Sequence, residues 1–354
     1  MSTPDHEGSA QYRTTKIRTY GFTAFYPSRP FWAVDKIDFS DPKSEDHFQE
    51  LMSEEVYEEA DEMFSVKICR DGRIMVRVEA LEKEDANSNA PVSADAMVGK
   101  WGEYLDYLNS FYLLLDSSTI RSMNLAYFSL HEITIRDAFR VHYQNGKISG
   151  ENIAAESVAS LFQLGRFKST YGLPIPNDPK ILMRRVISWD AIANAVKQFG
   201  IVVKSPGLEK VLGSFTKSIA EYKVGNYETS IILAWFISER VIDKIWIRHI
   251  ASLNKDIGEG RQRMNRERKD YLTGRDFPIS LVANVLELFD VLPFSLFKDV
   301  DAVRGFRNKI VHGGSGYSPN ATDAQLAIKT ALELSRASYG IDFTPNFAYW
   351  VTGF

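Results

Sequence analysis

The chain has 354 residues, 44% hydrophobic and 25% charged, a composition that excludes wholesale disorder and fibrous architecture. A single cysteine, Cys69, excludes an internal disulfide and any zinc site that needs two thiolates. The net charge of -4 describes no general nucleic-acid binder, and the length predicts two domains.

The N-terminus, MSTPDHEGSA, lacks the basic and apolar regions of a signal peptide. No apolar run approaches the ~20 residues of a membrane span. With one thiol, the expected compartment is the cytoplasm, with no membrane association.

Residues 17–39 are aromatic and β-branched, interrupted by Pro27 and Pro30, and predict short strands. Residues 41–63 hold ten acids and one lysine, the pattern of a solvated helix or an acidic surface. Phe64–Leu81 predicts a β-hairpin: Val66, Ile68, Ile74, Val76 and Val78 alternate about Asp71-Gly72. Trp101, Leu105, Leu108, Tyr112 and Leu115 recur at helical spacing and predict a helix over 93–116. Residues 123–143 read as two strands, the second alternating from Ile133 to Tyr143, with a turn at Asn145-Gly146. Helices near 153–165 and 188–199 flank a Pro-rich stretch, Gly172–Pro179.

Ser205-Pro206-Gly207 marks the expected boundary between an α+β domain, 1–204, and an all-α domain, 205–354. Beyond it no strand is predicted. Helices are expected at 208–222, 227–249, from Pro278, from Pro293–Ser295 to Gly313, and from a cap at Asn320 or Thr322 to Ser338. Such helices, joined by mostly short loops, predict an antiparallel bundle. The net charge conceals a split. Residues 1–204 hold 23 basic and 29 acidic side chains (-6), whereas 205–354 hold 19 and 17 (+2).

Several motifs fail. His131-Glu132 begins a metalloprotease pattern, but position 135 is Ile. No Gly-Lys-Ser/Thr triplet of a P-loop occurs, and the histidines lack metal-ligand spacing, so neither metal nor cofactor is expected.

One constellation survives. The segment Val303–Gly314 contains Arg307-Asn308 with His312 beyond four residues, and it resembles the signature of HEPN domains, including their Apea-like defence members. A second match, Arg136-Asp137 with His142, lies in a period-2 strand pattern rather than on a helix. The resemblance covers about 205–340 and implies a helical bundle. It further implies a metal-independent endoribonuclease, often a toxin or anti-phage effector, that dimerises to pair two motifs. It thus casts Arg307 and His312 as catalytic, with Asn308 orienting His312 or binding a phosphate oxygen. The implied partners are RNA, a second copy of the chain, and a phage trigger or an antitoxin; residues 1–204 would sense or regulate. The alternative is a non-catalytic RNA- or protein-binding module.

Helical geometry agrees with an active face. At 100° per residue, Arg304, Asn308 and His312 form one stripe with Arg307 at its edge, while Val303, Phe306 and Ile310 point the other way. The bland counterpart is a solvated basic face with His312 as a favourable C-terminal cation. Imidazole suits proton transfer near neutrality, and guanidinium suits a phosphoryl transition state. Arg304 and Lys309 are candidate auxiliary phosphate binders. Arg261, Arg263, Arg266, Arg268 and Lys269 either track an RNA backbone or form a solvated face. Glu239, an acid within the apolar second helix, either holds an active-site Arg or His or is an ordinary core or surface carboxylate.

Overall fold

A computed structural model describes residues 19–38, 40–41, 47–82, 94–144, 146–153, 184–258, 260–274, 276–313, 316–341 and 343–347. The predicted helix at 153–165 and the Pro-rich stretch lie almost wholly outside these residues.

An antiparallel sheet of six strands dominates the first half. Its strands are β1 (Thr19–Phe25), β3 (Glu55–Ala60), β4 (Phe64–Cys69), β5 (Ile74–Val78), β6 (Phe139–Gln144) and β7 (Lys147–Ile153), in the order β3-β4-β5-β1-β6-β7. A short β2 (Trp32–Ala33) pairs in parallel with β8 (Val186–Ile187). The predicted hairpin forms as β4–β5. Its Gly72 has φ +89°, and a Cβ there would stand 2.8 Å from Cδ1 of Phe31, so the turn needs glycine on both counts.

The acidic run resolves into a short helix, α1 (Phe48–Ser53), and the edge strand β3. Glu58 and Glu59 are exposed on that edge. Charge there discourages pairing with another chain.

The sheet is strongly curled. In a flat sheet β3 and β6 would stand four strand spacings apart, about 19 Å. Yet the Tyr143 hydroxyl on β6 donates directly to Glu55 on β3. From the β4–β5 turn, Arg73 reaches Glu151 on β7 at 2.5 Å. Inside the curl lie Phe22, Met75, Phe139, Val141 and Tyr143. Lys67 is enclosed with them, its Nζ 2.6 Å from Glu55 and 5.0 Å from the Tyr143 ring centroid. A buried cation is tolerable because the carboxylate and the ring face both receive it.

The opposite face of the sheet buries Phe25, Val66, Ile74 and Val76 against a long helix, α3 (Ala94–Met123). A four-residue helix, α2 (Glu79–Glu82), precedes it. The helix predicted at 93–116 thus runs to Met123, and only β6 of the two strands predicted over 123–143 forms. Residues 133–138 alternate like a strand, but their polar backbone is satisfied differently. Asn109 accepts from the Ile133 amide (2.8 Å) and donates to its carbonyl (2.9 Å). Asp137 accepts from the Thr134 amide and closes a turn.

Helix α4 (Trp189–Lys204), capped by Ser188, and α5 (Leu208–Lys223) both pack on α3, on either side of the Ser205–Gly207 turn. One apolar core runs from Phe25 through to Phe343. Helices α6 (Tyr227–Ser252), α7 (Arg266–Leu272), α8 (Ile279–Leu288), α9 (Phe294–His312) and α10 (Ala321–Tyr339) complete the second half, and no further strand occurs among its described residues. The strongly apolar α6 is central, flanked by α5, α8, α9 and α10. Asn320 and Asp323 form a reciprocal capping box at the start of α10. The chain after α10 lies across the bundle: the Thr344 amide donates to Ser117 on α3, and Phe343 packs edge-on to Phe215 on α5.

One buried group on α3 conflicts with its surroundings. Neither oxygen of Asp116 has a hydrogen-bond partner. Burial pushes its pKa up to about 8, opposed only by the charge of Lys223.

Candidate active site

Helix α9 begins after Pro293, whose missing amide costs a helix start nothing, and ends at Gly313 in the left-handed conformation (φ +60°). Leu296, Val300 and Val303 recur at helical spacing and are buried. Arg304, Arg307 and Asn308 are half-buried on the solvent side, and His312 is exposed in the last turn. The sequence-derived stripe is therefore present on one helix face.

The polar contacts within the stripe are specific. Arg307 donates from Nη1 to Oδ1 of Asn308 at 3.1 Å. Asn308 therefore steadies the arginine here and does not hold His312. Arg304 pairs with Asp301 one turn earlier, at 2.5 Å. That pair is solvent-accessible, so it restrains Arg304 little, and a phosphate can displace the carboxylate. Lys309 is exposed, with Nζ 5.2 Å from the Tyr317 ring centroid. No hydrogen bond or ion pair links Glu239, half-buried in mid-α6, to Arg304, Arg307 or His312 among the described residues.

Sequence reasoning missed a clamp beside the stripe. The Tyr317 ring stacks on Phe306, with centroids 5.9 Å apart and planes 11° apart. Its hydroxyl donates to Asp323 at 2.8 Å, and Asp323 also belongs to the α10 capping box. Burial, and then this bond, hold the phenol well above its ordinary pKa, so it stays a neutral donor. The chain leaving His312 is thereby tied to α10. The Asn320-x-x-Asp323 spacing was the available sequence signal, with an aromatic three residues before it.

The second cationic group stands on a backbone fold-back and a short helix. Residues 255–263 fold back on themselves: Ile257 donates to Arg261 O (2.9 Å) and Arg263 to Lys255 O (2.8 Å). Helix α7 follows, carrying Arg266, Arg268 and Lys269, all exposed like Arg261 and Arg263. A concavity of about 680 Å³ lies elsewhere, beside Ile37, His47, Leu51 and Arg70. Its arginine is already held by Asp35 and Glu54.

Among the described residues no three His, Cys, Asp or Glu side chains cluster so as to hold a metal ion. No helix there is long and apolar enough to cross a membrane. Compared with protein-family models, curated proteins and solved structures, the chain matches none of them.

Proposed function

We propose that this chain is a metal-independent endoribonuclease of the HEPN type that cleaves single-stranded RNA, serving as a toxin or anti-phage effector. One observation carries the reading. A single helix buries its apolar stripe and turns Arg304, Arg307, Asn308 and an exposed His312 the other way.

The chemistry is that of a substrate bearing its own nucleophile. The ribose 2′ oxygen attacks phosphorus, the bond to the 5′ oxygen breaks, and a 2′,3′-cyclic phosphate and a 5′ hydroxyl result. His312 takes or delivers a proton at one end of this displacement. Arg307, steadied by Asn308, stabilises the charge that grows on the non-bridging oxygens. Arg304 and Lys309 bind flanking phosphates. One imidazole serves one proton transfer at a time, so a second copy of the chain supplies the other in a homodimer with a composite site. The sheet-bearing half senses a trigger or restrains the nuclease.

The test incubates purified protein with single-stranded RNA in EDTA, beside His312→Ala and Arg307→Ala. Wild type should cut, and each variant should lose at least about 100-fold in rate. RNA left intact by wild type, or cut equally by the variants, removes the proposal. Binding without cutting would make the chain a non-catalytic module.

A further inference from the structure

We propose that residues 255–272 form a single-stranded RNA-binding arm in which Tyr271 stacks on an unpaired base. This rests on the reading of RNA as substrate, and it assigns a role to an aromatic side chain that the nuclease chemistry does not use.

Tyr271 is 59% exposed, an unusual position for so large a ring. It is nonetheless fixed. Phe277 meets it edge-on, with centroids 5.6 Å apart. Phe277 in turn stacks on Trp246 of α6 at 6.1 Å and 16°. The Trp246 indole N–H donates to Leu272 O at 2.8 Å, tying the end of α7 to the bundle. An aromatic held this way offers a ring to solvent with little side-chain entropy left to lose. Every base has a π-face, so such a ring binds unpaired nucleotides with little regard to sequence.

The surroundings select a polyanion. Residues 255–272 hold six Lys or Arg against four acids. Asp270 answers Arg266 across 3.8 Å of exposed surface, a contact too weak to compete with a phosphate. Arg261 and Arg263 stand on the fold-back described above. Glu267, one turn before Tyr271, is the opposing charge on that side of the helix.

The arm is remote from the reacting residues. Phe289, just before α9, packs on His249 near the end of α6, where the arm is also tied. Arg248, near the same end of α6, donates to Ser338 O at the end of α10, whereas Tyr317, before the start of α10, packs against Phe306. Helix α9 therefore runs away from the arm, and its 18-residue rise from Phe294 to His312 is about 27 Å. The arm thus holds RNA well to one side of the scissile bond.

The experiment measures anisotropy of a labelled single-stranded RNA oligomer and of its duplex, in EDTA, with every protein in the His312→Ala background so that nothing is cut. Tyr271→Ala should weaken single-strand binding about ten-fold, Tyr271→Trp should restore it, and duplex binding should be weaker and indifferent to both. Arg261→Gln with Lys269→Gln should flatten the salt dependence. Thermal melting confirms that the exposed substitutions leave the fold intact. Unchanged single-strand affinity in Tyr271→Ala, equal preference for duplex, or no RNA binding at all overturns the arm. The two readings fail separately. Cleavage by wild type with no effect of Tyr271 sinks the arm alone, and Tyr271-dependent binding without cleavage sinks the nuclease alone.

Discussion

Asp116→Asn should make this protein more stable at neutral pH. Asp116 is buried on α3 with neither oxygen hydrogen-bonded, and burial lifts its pKa to about 8. An unfolded Asp ionises near 3.9, so at pH 7 folding must return a proton to a carboxylate about three pH units above its ordinary titration. That costs about 4 kcal/mol. The folded state binds the proton more tightly than the unfolded state. The contribution of this group is therefore full below about pH 4, falls as pH rises, and is lost above about 8. Lys223 opposes the shift, and its own pKa is lowered by burial, so neither partner rescues the other. The amide has the shape of the neutral acid and needs no proton. For a chain of this length, 4 kcal/mol corresponds to about 5 °C in melting temperature. Calorimetry of wild type and Asp116→Asn from pH 4 to 9 reads this directly. The curves should converge near pH 4 and part toward pH 8. Parallel curves would show that the folded protein does not keep Asp116 as a neutral acid.

Two further expectations concern the sheet. Gly72→Ala should cost at least about 2 kcal/mol in chemical denaturation, because it combines a positive φ with contact on Phe31; a loss below about 0.5 kcal/mol would show that the turn relaxes. Cys69 is fully buried and its thiol pKa is pushed up to about 11, so an aromatic disulfide reagent should leave it unmodified in native protein and label it in denaturant; rapid native labelling would contradict that burial.

The elements that the sequence made legible are those whose signals are local. Asp71-Gly72 sits inside one run of alternating residues, so turn and strands could be read together. Most helices from Trp189 onward announce themselves by apolar spacing, and the last also by its cap at Asn320, whereas Arg266–Leu272, which has no apolar stripe, did not. Residues 133–138 misled because alternation records burial and says nothing of where backbone hydrogen bonds go. Asn109, 24 residues earlier, takes them. The curl of the sheet was beyond reach for the same reason: Tyr143 and Glu55 are 88 residues apart. At the candidate site, the face of α9 followed from helical angles alone. The bond from Arg307 to Asn308 did not, since rotamer choice settles which neighbour an amide serves.

Helix α3 touches both halves of the molecule. Its 30 residues carry the sheet on one side and α4 and α5 on the other. A side-chain hydroxyl, Ser110, even donates to the Glu209 carbonyl at the start of α5 at 3.0 Å. Sheet and bundle therefore share a wall, with no slack tether between them. Packing is continuous from the sheet through α3 to α5, and from α5 to α6, on which α9 rests. The same wall means that cutting the chain before Ser205 would bare the face of α5 that packs on α3.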